Sequence, residues 1–541
     1  MKATETSVLI VGAGPVGLAL AGDLGWRGVN CTVIEQTDGS IVQPRQDLVG
    51  IRTMEFCRRW GIVNDVEASP YPRDYPQDNI YIAGSLVNGW EIGRYSSPSM
   101  SDELPPPQSP QKRERCPQNM FDPILKHFAK AQNSVTLKYR HQFLSLSQTE
   151  DGVSTQIKNL KTGEIVCIKA KFLVGCDGAG SNVRQSVGIK MEGNPALTYT
   201  TNVIFQYEGF EALHNKAPGY RFIFLTAKGT WATIVAINGK DQWRMSIVRS
   251  SEEPRDLIED EVRAAITEAV GVKFDYEILS LLPWTRRQLV AERFKNGRVF
   301  LAGDAAHCMS PTGGFGMNTG IGDAVDISWK IGAMLKSWGG DTLLDSYDKE
   351  RRPVAIRNVA EASENLSRML TPEKHTAFLD DTEEGSKIRK EVGIRFAQRM
   401  KREWQTLGIH LGYRYDNSPI CMADGTDSPP SDASVYIQSA RPGSRAPHVQ
   451  LADGSSTLDL FGRSFVLLTL GENPTNCEAL ARAAKACKMP LNIISIADTS
   501  VLEAYEARMI LIRPDGHVAW RNNYLPNDPG ALLDTVRGSI I

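Results

Sequence analysis

No two of the nine cysteines in this 541-residue chain are spaced as CxxC. Cys31, Cys57, Cys116, Cys167, Cys176, Cys308, Cys421, Cys477 and Cys487 are scattered and odd in number. That argues against a disulfide scaffold and against a structural zinc site, so no metal is expected. It suits a reducing cytoplasm, the expected location. An excess of one charge is also lacking: 61 Lys and Arg face 63 Asp and Glu, a net charge of −2. Nothing in that balance draws the chain to nucleic acid or an anionic membrane. No apolar run approaches the roughly 18 residues of a membrane span. The opening "MKATETS" lacks the basic, apolar and small-residue order of a secretory leader.

Two apolar runs flank a glycine-rich turn in "SVLIVGAGPVGLALAGDLGWRGVNCTVIEQ", residues 7–36. Residues 7–12 read as a buried strand, 14–27 as a helix with small residues toward the sheet, and 30–35 as a second strand. In Gly12-x-Gly14-x-x-Gly17, the first glycine permits the tight turn. The second lets backbone approach a pyrophosphate, and the third lets helix and strand pack closely. The helix start adds N–H groups and a positive dipole end. Glu35, followed by Gln36, closes the second strand where a ribose hydroxyl would donate. An acid there suits an unphosphorylated ribose, hence FAD or NAD(H). Both remain open on these residues alone.

A second glycine-rich motif decides between them: "GRVFLAGDAAHCMSPTGGFGMNTGIGDAVDISWKI", residues 297–331. Asp304 follows a short apolar strand, where a carboxylate can bind a ribitol hydroxyl. Pro311 lies in the loop. Gly316, Met317 and Asn318 sit at a helix start, whose amides can stabilise negative charge on a reduced flavin ring. A simple dehydrogenase has no need of this loop, so FAD is expected.

These two motifs and "CDGAGSNVR" (176–184), which contains Asp177, Gly178, Ser181 and Arg184, resemble the single-component flavoprotein aromatic hydroxylases of the para-hydroxybenzoate hydroxylase fold group. The resemblance implies that Asp177 belongs to a segment serving both FAD and the nicotinamide cofactor. It also implies that Arg45 lies near the FAD pyrophosphate and that Gln118 contacts the flavin nucleotide. The phenol hydroxylase branch is more similar still. Residues 441–469 and 511–521 look like its thioredoxin-like C-terminal domain, here without a redox CxxC. Such a tail implies a structural or dimer-stabilising role, so a homodimer is expected.

The fold expected is α/β: a Rossmann-like FAD-binding domain, an antiparallel-sheet substrate domain and a thioredoxin-like tail. The FAD domain takes residues 1–184 and 291–370, with Pro-rich excursions around 70–110. The substrate sheet takes 185–290, a helical segment and linker 371–435, and the tail 436–541. Residues 134–175 alternate apolar and polar and predict antiparallel strands. The basic run 387–404 reads as a solvated amphipathic helix.

The family reaction uses NADPH or NADH to reduce FAD. Reduced flavin captures O₂ as a C4a-hydroperoxide and transfers oxygen to an electron-rich ring. A phenol reacts better once its hydroxyl is deprotonated or polarised, which calls for a nearby base. Asp47 matches an aspartate given that role in phenol hydroxylase. Where that branch has a tyrosine upstream of the second motif, this chain has Trp284. Tyr220, Trp231 and Trp284 are candidate contacts to a small aromatic substrate, with Arg221 and Trp243 also on the middle sheet. His307 reads as structural. Halogenases of this fold carry WxWxIP, which none of the ten tryptophans forms. Oxygenation of a non-phenolic substrate, such as epoxidation, and a non-catalytic redox sensor are the alternatives.

Overall fold

The computed structural model describes residues 3–41, 43–250, 255–371, 376–471 and 477–539. At its centre the strand Ala3–Val11 runs parallel to Cys31–Glu35 on one side and Ile165–Gly175 on the other. Val135–Tyr139 and Val299–Leu301 extend the parallel order outward. Parallel strands are covered on both faces, which is why residues 8–11 and 299–301 read as unbroken apolar runs. The helix Pro15–Trp26 lies close to the helix Gln118–Lys130 because its side chains are small. A Cβ on Gly22 would come within 2.4 Å of the Phe128 ring. His141–Gln148 and Val153–Asn159 add an antiparallel extension to Ile165–Gly175. Val135–Tyr139 departs from the antiparallel expectation. The helix Gln118–Lys130 carries the chain back before it, so it enters parallel to Cys31–Glu35.

The second sheet has eight strands. Their order is His307–Cys308, Glu277–Ala291, Met191–Gln206, Gln242–Arg249, Gly229–Ala236, Arg221–Thr226, Asn79–Ala83 and Trp90–Tyr95. The stretch between the Pro-rich segments therefore supplies two strands at one edge. Alternation divides the sheet. Phe205, Phe222, Trp243 and Met245 pack with Val262 and Ile266 of the helix Glu259–Val270. Arg221, Arg244, Trp284 and Arg286 face the glycine-rich loops of the first sheet. The helix Glu383–Trp404 covers the edge strands: Val392, Phe396 and Met400 meet Tyr81, Ile223 and Leu225. The basic run thus has a buried stripe as well as a solvated face.

The tail holds a four-stranded sheet ordered Leu491–Ile496, Phe465–Leu470, Met509–Ile512 and Val518–Asn522. The first pair is parallel and the others antiparallel. Buried ion pairs fix this unit to the first. Arg445 pairs with Glu55, which also receives Arg52 at 2.7 Å. Arg513 reaches Glu350 at 2.6 Å and Asp326 at 3.2 Å. Removing one member of such a pair leaves an uncompensated buried charge, so parting the two units is costly.

Candidate active site

Two adjoining clefts lie between the first sheet and the second. One has about 910 Å³ of free space, counting its open mouth. Gly14, Arg45, Gln118, Trp284, Asp304, Pro311, Gly316 and Met317 line it together, although they come from five separate stretches of chain. The three fingerprint glycines divide as their chemistry requires. Gly12 has φ +104°, and a Cβ there would lie 2.4 Å from the Cys176 carbonyl oxygen. A Cβ on Gly17 would lie 2.0 Å from the Gly12 oxygen. A Cβ on Gly14 would meet no atom within 4 Å, so its open side faces the cleft. Asp304 is half-buried, and its carboxylate has no hydrogen-bond or ion-pair partner among the described residues. Burial pushes its pKa up.

Other expected cofactor residues have structural partners. The Glu35 carboxylate accepts from the Ala13 N–H at 2.9 Å and the Thr37 N–H at 2.8 Å. Gln36 is exposed. Asp177 accepts from the Ser181 hydroxyl and from the Val183 N–H at 3.0 Å, while its neighbours Cys176 and Gly178 line the cleft. Arg184 ties this segment to the Asp304 loop through the Ala305 carbonyl at 3.1 Å. The Asn318 side chain accepts from Gly50 N–H at 2.8 Å and Thr53 at 2.7 Å, and donates to Gly314 at 2.7 Å. It clamps the start of the helix Phe315–Leu335 to residues 48–53. His307 is fully buried and pairs with Asp323 at 2.8 Å, so it braces Gly303, whose N–H binds the same carboxylate at 3.1 Å.

The second cleft has about 820 Å³ of free space and shares Arg45, Gln46 and Pro311 with the first. Asp47 lies in its wall. One carboxylate oxygen accepts from Arg115 at 2.9 Å and the other from the Tyr220 hydroxyl. Arg244 stands 3.8 Å away. Burial pushes the Asp47 carboxyl up, but Arg115, Arg244 and the Tyr220 hydroxyl more than offset it and hold it below the usual range. The Arg115 guanidinium lies 3.8 Å over the Tyr220 ring. Burial keeps that phenol protonated far above neutral pH.

A family model described as FAD binding domain matches residues 5–362, and one described as aromatic-ring hydroxylase, C-terminal, matches 439–538. The chain belongs to the FAD-dependent aromatic-ring hydroxylases. A 4-methyl-5-nitrocatechol 5-monooxygenase from Burkholderia sp is 32% identical over 98% of this chain and 97% of its own. A structure of the rebeccamycin biosynthetic enzyme RebC with reduced flavin superposes with TM-score 0.92 at 36% identity, covering 100% of both chains. A ternary complex of aklavinone-11 hydroxylase with FAD and aklavinone gives 0.83 at 27% identity, covering 99% of this chain and 100% of the other. The hydroxylase thus uses FAD, with NAD(P)H and O₂ as the co-substrates typical of its family. Among the described residues no helix is long and apolar enough to cross a membrane.

Of the candidate substrate contacts, Tyr220 and Trp284 line the clefts, and Arg45 lies 5.2 Å over the Trp284 ring. Trp231 stands in a bulge opposite Phe224 and Leu225 and packs at 6.2 Å on the Phe224 ring, away from the hydroxylase's clefts. Trp243 faces the core, 4.3 Å from the Phe210 ring. Arg115, Arg244, Arg286, Glu403 and Trp404 also line the second cleft, and the sequence reading does not single them out. A usable signal is a lone charge inside an otherwise apolar strand, as in Trp243-Arg244-Met245.

Proposed function

We propose that this hydroxylase oxygenates a phenolic or related aromatic ring held in the Asp47–Tyr220 cleft. The observation that carries the reading is the shared wall: Arg45, Gln46 and Pro311 line both that cleft and the one containing Gly14 and Asp304. A ring in the second cleft would therefore lie beside a cofactor in the first. The residues present fit FAD. Gly14 leaves room at a helix start, Asp304 offers a free carboxylate to a ribitol hydroxyl, and Gly316 and Met317 open a long helix toward the same space. When bound, FAD supplies the reduction by NAD(P)H and the activation of O₂.

The chain's own residues prepare the substrate. Tyr220 donates to Asp47, so its oxygen is left as an acceptor facing the cleft. A substrate hydroxyl donating to Tyr220 is polarised by the carboxylate behind it. Asp47 acts as the base through Tyr220 rather than by direct contact. Arg115 and Arg244 keep Asp47 ionised and stabilise negative charge growing on the substrate oxygen. The enzyme works in the cytoplasm on this reading, where nine free thiols remain reduced.

The test is a panel of phenols, benzoates and polycyclic phenols scored for stimulated NAD(P)H oxidation and product mass under ¹⁸O₂. One oxygen atom from O₂ should enter a phenolic product. The Asp47→Ala variant should keep FAD and its reduction but release peroxide in place of product. NAD(P)H oxidation that no aromatic compound stimulates would sink the reading, and unchanged product yield in Asp47→Ala would remove Asp47 from it.

A further inference from the structure

One cation of the second cleft has no carboxylate within ion-pair distance among the described residues. Arg286 is 4% exposed, its Nε and Nη1 have no hydrogen-bond partner, and it makes no ion pair among the described residues. Its neighbours are engaged elsewhere. Arg221 pairs with Glu403 at 3.0 Å, Arg115 with Asp47 at 2.9 Å and Arg113 with Glu103 at 3.0 Å. Arg244 gives one nitrogen to the Pro44 carbonyl at 3.1 Å. Six arginines line the cleft against two carboxylates, Asp47 and Glu403. Burial, with Arg221 and Arg244 nearby and Glu403 opposing them, lowers the Arg286 pKa to about 10, so it is charged at neutral pH.

A buried guanidinium without a bonded partner is costly, and only the through-space attraction of Glu403, itself paired with Arg221, offsets part of that cost. Two hydroxyls beside it are in the same condition. Thr198 pairs with Arg286 across the sheet and Thr200 with Trp284, and both threonine oxygens are buried without a partner. Thr200, Trp284 and Arg286 line one recess continuous with the main cleft. A forked cation beside two idle hydroxyls matches a carboxylate, which accepts a bidentate pair and further donors.

We propose that Arg286 is a specificity-determining residue that binds a carboxylate carried by the aromatic substrate, with Thr200 as a supporting donor. This rests on the reading of the cleft as the hydroxylation site. The substrate is then held at two ends, its hydroxyl at Tyr220 and its carboxylate at Arg286, which fixes the ring carbon presented for oxygenation.

The oxidised, FAD-loaded enzyme is titrated without NAD(P)H, following the flavin spectrum, with 6-hydroxy-2-naphthoate, whose hydroxyl and carboxylate stand at opposite ends of the ring system, and with 2-naphthol. The carboxylated probe should bind at least about tenfold tighter, as one charged hydrogen-bonding partner supplies. Arg286→Gln should bring the two affinities within about twofold at unchanged FAD content, and Arg286→Lys should keep part of the preference. Equal binding of the two probes, binding of neither, or an unchanged ratio in Arg286→Gln overturns the proposal. An unchanged ratio with a raised KM for NAD(P)H would assign Arg286 to a dinucleotide phosphate instead. The expected ratio without stimulated NAD(P)H oxidation would uphold the anion site and count against the hydroxylation reading.

Discussion

Replacing Tyr220 by Phe removes a single hydroxyl from the hydroxylase and leaves the surrounding charges in place. Asp47 keeps Arg115 at 2.9 Å and Arg244 at 3.8 Å, and the Phe ring can still lie beneath the Arg115 guanidinium. The substrate oxygen loses its acceptor and its link to the carboxylate. A hydrogen bond to a charged group is worth about 1.5–3 kcal/mol, or roughly 10- to 150-fold in the rate of the step it assists. FAD content and reduction by NAD(P)H should hold, because Tyr220 does not line the cofactor cleft. The readout is product formed per NAD(P)H consumed, with hydrogen peroxide as the complement, and the variant should shift most turnover to peroxide. In a cycle with Asp47→Asn, the double variant should cost about as much as the worse single one, because the two side chains act as one unit. Asp47 titrates below the usual carboxylate range, so this pair should add no acidic limb to product yield near neutral pH. Full additivity, or an unchanged product yield in Tyr220→Phe, would refute the relay.

The remaining predictions concern cofactor retention and folding. Gly17→Ala should fail to give folded enzyme, since its Cβ would overlap the Gly12 oxygen at 2.0 Å, whereas Gly14→Ala should fold and lose FAD. Thermal melting with bound-flavin content separates the two, and a flavin-replete Gly14→Ala would count against the pyrophosphate contact. Burial raises the Glu55 pKa, but Arg445 and Arg52 more than reverse that and lower it to about 2. Its folded pKa lies below its unfolded value, so its contribution is complete above about pH 4.5 and fades as pH falls toward about 2. The shift corresponds to about 3 kcal/mol. Glu55→Gln should lower the urea midpoint at pH 7 and flatten its acid dependence over that window. An unchanged midpoint would deny the ion pairs their part in docking the tail.

The parts legible in sequence are those where backbone chemistry leaves no choice. Gly12 and Gly17 stand where any side chain collides with main chain, so the requirement is written in the residue type itself. The apolar run at 7–12 follows from a parallel strand covered on both faces, and the acid at 35 from the Ala13 and Thr37 N–H groups its carboxylate accepts from. The second cleft is different because its walls depend on strand pairing across long sequence distances. Asn79–Ala83 aligns with Arg221–Thr226, and that register decides which side chains of the sheet face inward. A bulge at Phe224 and Leu225 turns Trp231 out of the cleft, and strict alternation turns Trp243 into the core while Arg244 faces the site. Trp231 and Trp243 therefore stand on the face of their strands away from the clefts. The chemistry of the site instead lies in arginines whose value appears only once their partners are known. Arg221 is paired with Glu403, a residue from a helix some 180 positions away, whereas Arg286 has no ion-pair partner among the described residues. That difference separates a structural cation from one awaiting a ligand, and composition cannot express it.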